Sequence, residues 1–324
     1  MTLLRMVCAA TAFFCMLATA LAQDANYPNR PIHIIVPATP GGVTDILARA
    51  LGQQLTGLWN AQIVVENRAG ANNQIAAEIV AKSPPDGYTL FVSAEATFVI
   101  NPYLYSTLHY NAQHDFTPIS GLIAINQALI VKNDLGVNSV PEFLALAKKT
   151  PGTISFGGYG VGSTGHLNME MLQYDAHVKF IGVQYKGATP ALNEIMGSHL
   201  DAMFISTGSA LGPWKNGQVK LLAIGSKERI PAYPDVPTVA ETVPGFVARS
   251  WFGIFGPAGM PKEIVEKLNS AINTIFQNAE FQERFLKPNL FTPITSSTEE
   301  FAAFINEDSQ KWKEVIRAAN VKLE

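Results

Sequence analysis

Read by the spacing of its apolar residues, the chain alternates between two periods from Ile32 onward. Ile32–Val36 is a short run rich in β-branched residues and predicts a strand. Over 45–58 the period lengthens: Leu47, Leu51, Leu55 and Leu58 recur every three or four positions, as on the buried side of a helix. Residues 63–66 predict a second strand and 74–82 a second helix, stopped by Pro84-Pro85-Asp86-Gly87. A third strand is expected over 89–93. The order β-α-β-α-β predicts a parallel sheet covered by helices.

The layout then recurs without close sequence repetition. Residues 128–131 predict a strand. Ser139 and Glu142 form a capping box, with Pro141 in the first turn, for a helix to Thr150. Strands follow at 153–156 and 180–184, with a helix over 163–174 between them. Thr189 and Pro190 open a helix that Gly197 ends. Further strands are expected at 202–205 and 219–224. After a stretch marked by Pro231, Pro234 and Pro237 come a strand at 250–255 and helices over 262–278 and 279–286. Ser297 and Glu300 cap a last helix whose apolar side holds Phe301, Phe304, Ile305, Trp312, Val315 and Ile316, a core-facing pattern. The chain completes one lobe, builds a second and returns to the first: 23–123 with 226–324, and 124–225.

The first 22 residues stand outside this scheme. Arg5 precedes a mostly apolar run from Met6 to Leu17, and Ala20-Leu21-Ala22 sets small residues before Gln23. This predicts a signal peptide cleaved after Ala22, and an exported, periplasmic protein. The apolar run is short for a membrane span, and no later run reaches the length of one. Cys8 and Cys15 both lie in this segment, so the remaining chain holds no disulfide. Roughly 300 residues suffice for two domains stabilised by their cores alone. The charge is −3, or −4 without Arg5, with no basic cluster, which argues against nucleic acid as a partner.

Candidate chemistry gathers at two loops of one kind. "VPATPGGVTD" (Val36 to Asp45) and "GGYGVGSTGHLNMEML" (Gly157 to Leu172) each run strand, glycines, helix. A helix start offers free N–H groups and a partial positive charge, so both suit an anion. Thr44 or Asp45 is expected to cap the first helix. Gly160, Gly162 and Gly165 fit G-x-G-x-x-G, but no acidic residue stands about 20 positions on, at the end of the next strand, so a dinucleotide is not implied. Val161 spoils the hydrolase elbow G-x-S-x-G around Ser163. None of His33, His109, His114, His166, His177 and His199 forms a metal pair with a carboxylate cluster at helical spacing. No cofactor or metal is implied. His166 stands between lining the cleft and capping its own loop.

With these residues in view, the chain resembles the periplasmic substrate-binding receptors of tripartite tricarboxylate transporters, the Bug proteins. The supporting segments are "YPNRPIHIIVPATPGGVTDILAR", "VVENRAGANNQIAAE", "SPPDGYTL", "INPYLY", "GSTGHL", "VQYKGATPAL", "IPAYPDVPTVAE" and "SWFGIFGPAGMP". The resemblance runs from about Tyr27 to the C-terminus. It implies an α/β fold of the type II periplasmic-binding-protein kind, two Rossmann-like lobes with a ligand cleft between them and hinge closure around the ligand. It implies no catalysis: a small carboxylate is bound and handed to membrane permease subunits, and a monomer is expected.

The same resemblance implies the site. The first loop supplies Ala38, Thr39, Pro40, Gly41, Gly42, Thr44 and Asp45, and the second Gly162, Ser163, Thr164 and His166. The turn with Lys186, Gly187 and Ala188 borders the cleft. Four departures bear on the ligand: Ala38 replaces a frequent aromatic, Asn72 and Asn73 replace a usual Gly-Gly, Glu95 follows Ser93-Ala94 where a small or polar residue is usual, and Ile205, before Ser206, stands where many members are acidic. Glu95 either meets a donor or cationic group of the ligand or points to solvent. Two readings compete with a transport receptor: an exported sensory module of the same fold, and a hydrolase using Ser163 and His166.

Overall fold

The computed structural model describes residues 27–323; the expected signal segment lies outside them, apart from this range. Its strands are β1 (Ile32–Val36), β2 (Ile63–Asn67), β3 (Thr89–Ala94), β4 (Phe116–Val131), β5 (Ser155–Gly158), β6 (Ile181–Gln184), β7 (Ala202–Ser206), β8 (Lys220–Ile224), β9 (Arg249–Pro257) and β10 (Thr292–Pro293). They form one curled sheet in the order β2-β1-β3-β9-β4-β7-β5-β6, with β8 and β10 also on β4. β1 pairs in parallel with β2 and β3, and β5 with β6 and β7. Between these parallel sets runs a long antiparallel pair, β4 with β9.

Alternation along each strand explains the layers. Ile32, Ile34 and Val36 of β1 and Leu90 and Val92 of β3 join Leu47, Leu51 and Leu55 of the helix Val43–Trp59 and the buried side of Lys262–Gln277. Ile35 and Phe91, one position out of step, point to the other face and join the largest core, which continues through Phe143, Phe156 and Phe204. Both faces are therefore covered, as a parallel sheet requires. The outer face of the second set packs Ala128, Ile130 and Met203 on Ala191 and Ile195 of the helix Ala188–Met196. The last helix, Thr298–Ala319, starts at the expected Ser297–Glu300 capping box and buries Phe301, Trp312, Val315 and Ile316 against the large core.

β4 belongs to both lobes. Its first part pairs with β9, and Gln127 to Val131 pair with β7 and β8. The chain runs back once, near Ala248, and the backbones of Gln127, Gly225 and Ala248 are laced together there. Gln127 N donates to Ala248 O at 3.0 Å, Ala248 N to Gly225 O at 2.8 Å, and Gly225 N to Gln127 O at 2.6 Å. A Cβ at Gly225 would stand 2.4 Å from Ala248 O, so only glycine lets these backbones close up. The stretch from Gly225 to Ala248 stays packed on the second strand set: Ile224 N donates to Pro237 O, Phe204 stacks on Phe246 at 5.7 Å, and Trp214 meets Tyr233 edge-on.

Three elements differ from the sequence expectation. β4 begins twelve residues before 128, at Phe116. Thr207–Lys215 is a helix despite two glycines and Pro213, started by the Ser206 hydroxyl accepting from Ser209 N. After β3 the chain makes a π-turn, Ala96–Ile100, into the short helix Asn101–Leu104. No described helix is long and apolar enough to cross a membrane.

Candidate functional site

The parallel strands aim their carboxyl ends at a common seam. Gly162 of the loop after β5 lies against the Leu104 side chain, where a Cβ would come within 2.4 Å of Cδ1. Thr164, first residue of the helix Thr164–Ala176, donates its hydroxyl to Glu95 Oε1 at 3.3 Å, and Ser250 of β9 donates to Thr164 Oγ1 at 3.3 Å. Loops at the ends of β3 and β5 thus meet, with Ser250 of β9 beside them.

On the first wall the helix Val43–Trp59 has Gly42 as N-cap and no side-chain cap. The N–H groups of Val43, Thr44 and Asp45 have no acceptor within the helix, which is the condition for holding an anion. Thr39, Pro40 and Gly41 are exposed beside it, and Ala38 is half-buried. Neither Thr44 nor Asp45 is the cap. Asp45 is buried and its carboxylate is spent on the loop, accepting from Gly41 N, Arg49 Nε and Asn67 Nδ2, each at 2.9 Å. The Arg49 hydrogen bond, above all, lowers it from 3.8 to about 2. Its work is to hold Gly41 in place rather than to meet a ligand.

The second wall is braced internally. Ser163 is the N-cap and its hydroxyl accepts from His166 N at 3.3 Å. The His166 ring is buried and its Nδ1 accepts from Gly162 N at 3.1 Å, leaving the proton on Nε2, 3.6 Å from Glu170. His166 therefore caps its own loop. Because its Nδ1 is turned to Gly162 and not to the Ser163 hydroxyl, the two make no nucleophile–base pair.

Beyond β6, Gly187 caps the helix Ala188–Met196 without a side chain, a second helix start with free donors. Lys186 beside it is exposed. Ile205 is a correction: it is buried among Ala191, Ile195 and Ala210 and offers a ligand no surface. Ser206 is spent as a helix cap. The extra amides are likewise engaged, Asn72 with Asn101 Oδ1 at 2.8 Å and Asn73 with Thr97 Oγ1 at 3.2 Å, while Ser93 bonds Thr97 at 2.8 Å.

Glu95 does not point to solvent. It is 2% exposed, accepts from Trp251 N at 3.0 Å besides Thr164, and its own N–H donates to Trp251 O at 3.0 Å. Burial raises its pKa from 4.5 to about 7, and Asp308 adds like-charge repulsion. No local pattern in the sequence marks its neighbours Tyr159 and Ser250, nor Gln127 behind Tyr159. Tyr159 donates its hydroxyl to Gln127 Oε1 at 3.4 Å, and burial pushes that hydroxyl's pKa up. Ser250 opens the "SWFGIFGPAGMP" segment, so its place in a matching segment was the available signal.

Two α/β lobes joined through β4 and the return near Ala248 define a two-lobed binding protein of the type II periplasmic fold. The chain belongs to the tripartite tricarboxylate transporter family of receptors, whose model matches residues 47–321. Protein BugT of Bordetella pertussis is 33% identical over 309 residues, covering 95% of this chain and 94% of that one. Among solved structures, Rpa4515 of R. palustris with adipate superposes at a TM-score of 0.77, with 30% identity over 91% of this chain and 99% of that one. MatC from Rhodopseudomonas palustris with bound malate gives 0.70, with 28% identity over 90% and 100%. These relatives are solute-binding receptors, not enzymes.

Proposed function

We propose that this protein is an exported, periplasmic receptor that binds a small carboxylate between its lobes and delivers it to the permease subunits of a tripartite tricarboxylate transporter. One observation carries the reading: the helices at Val43 and Ala188 start behind glycine N-caps that supply no side-chain acceptor, so their donors are left for an anion. Adipate and malate in the two R. palustris relatives support a carboxylate. The contacts of the stretch between Gly225 and Ala248 support a second lobe of 127–248, with 27–126 and 249–323 as the first, in place of a boundary at 225. The lobes close on the ligand as a monomer.

A thermal-shift screen of the protein without residues 1–22 tests this. Its panel holds mono-, di- and tricarboxylates, amino acids and aromatic acids, with nicotinamide dinucleotides as controls. A rise in melting temperature with one carboxylate class is expected. A rise with dinucleotides alone overturns the reading.

A further inference from the structure

The last helix and the stretch leading into β9 enclose a pocket of about 250 Å3. Three cations line it, Lys227, Arg249 and Lys311, with two acids, Glu307 and Asp308. Arg249 and Lys311 are half-buried and Lys227 is exposed. Among the described residues, none of the three has a carboxylate within ion-pair distance. Nor does any of them donate a side-chain hydrogen bond there. Aromatic rings stand in instead. The Arg249 guanidinium carbon lies 5.0 Å from the centre of the Phe304 ring, and Lys311 Nζ lies 6.0 Å from that of Phe246. A ring face attracts the charge but leaves the N–H donors unspent. Burial accordingly lowers the pKa of both groups. The acids do not cancel them. Asp308 gives one oxygen to Trp251 Nε1 at 2.7 Å, and burial raises its own pKa. Glu307 is exposed, so water screens it, and Asp175 attracts Lys311 only from further off.

We propose that this pocket is a second anion site, which takes a phosphate group, free or carried on a small organic molecule. It shares no residue with the helix starts at Val43 and Ala188 and does not rest on the receptor reading. The Arg249 fork matches two oxygens of a tetrahedral anion, and the two lysines supply point charges for the others. A monocarboxylate offers two oxygens and a single charge to three cations. The space lies below the roughly 300–1,000 Å3 of pockets for larger ligands, which suits a phosphate with few atoms attached. Lys227 follows β8 and Lys311 belongs to the last helix, so a bound phosphate ties these two parts of the chain together.

The test is calorimetry at pH 8 on the protein without residues 1–22, with sodium chloride matching the ionic strength throughout. Inorganic phosphate and glycerol 3-phosphate are titrated into wild type, Lys311→Gln, Arg249→Gln and Lys227→Gln. Wild type is expected to bind at least one of them with a Kd of about 1 mM or below. Lys311→Gln and Arg249→Gln are each expected to weaken binding about tenfold. Lys227→Gln, at the exposed edge, is expected to weaken it about threefold. Inorganic phosphate binding as tightly as glycerol 3-phosphate supports a free anion, and tighter binding of glycerol 3-phosphate supports a phosphomonoester. Wild type binding neither overturns the proposal. So does binding that the two lysine variants leave unchanged, because the phosphate then sits elsewhere, as at the helix starts. If Arg249→Gln does not fold, the lysine variants decide alone.

Discussion

Replacing Glu95 by glutamine should make the protein more stable at alkaline pH, although it removes a buried hydrogen-bonded group. The carboxyl has a native pKa of about 7 against 4.5 when free. The native state therefore holds this proton over a range where the unfolded chain has lost it. Stability from this group is fully present below about 4.5 and drains away as pH rises through about 7. At 1.36 kcal/mol for each tenfold change in proton affinity, the loss between pH 5 and 8 is on the order of 3 kcal/mol. Glutamine mimics the protonated acid. Its oxygen can accept from Trp251 N while its amide donates to the Thr164 hydroxyl, so the two proteins should agree within about 1 kcal/mol near pH 5. Urea unfolding of both proteins at several pH values gives the answer, because titrating groups not coupled to Glu95 cancel in the difference. Parallel stability curves from pH 5 to 8 would refute the reasoning.

Two further substitutions probe the loop brace and the laced backbones. Asp45→Ala leaves Gly41 N without its acceptor and Asn67 Nδ2 with only the Ala38 carbonyl, and should cost about 2 kcal/mol, allowing for the half-exposed Arg49 partner. Because the native carboxylate is held below its free value of 3.8, the gap from wild type should close as pH falls from about 4 to about 2, which thermal melts across that range will show, and carboxylate affinity at neutral pH should drop as the loop loosens. Gly225→Ala pushes a methyl group onto the Ala248 backbone and should cost about 1–3 kcal/mol. An unchanged melting temperature would show that the laced backbones are not tightly packed.

Where local rules decided the structure, they could be read in advance. The N-cap at Ser139, whose Glu142 reaches Asn138 N and not Ser139 N, the capping box at Ser297, the leucine spacing of Val43–Trp59 and the stop at Pro84-Pro85 all placed helices correctly. The first part of β4 escaped because Pro118 and Gly121 interrupt it; the strand shifts register there and recovers, held by β9. Thr207–Lys215 escaped because its glycines and Pro213 oppose a helix and only packing outweighs them. At the site, residue positions were legible but side-chain directions were not. Ile205 reads as a cleft residue until the fold turns it into the core, and His166 was balanced between two roles that only the Gly162 hydrogen bond separates. Glu95 was noticed as out of place, yet no local pattern shows that Thr164, far along the chain, would lie on it.

If the lobes close as the proposed receptor role requires, the small triangle of Gln127, Gly225 and Ala248 is where they would pivot. Ser250 and Trp251 follow directly on from it, and Glu95 is tied to Trp251 through both its backbone and its side chain. Glu95 would therefore sit on a short lever arm. As in a nutcracker, a little bulk or repulsion close to the pivot holds the jaws wide apart. Bulk added at Glu95 would on that reading hold the lobes apart without touching a solute at all.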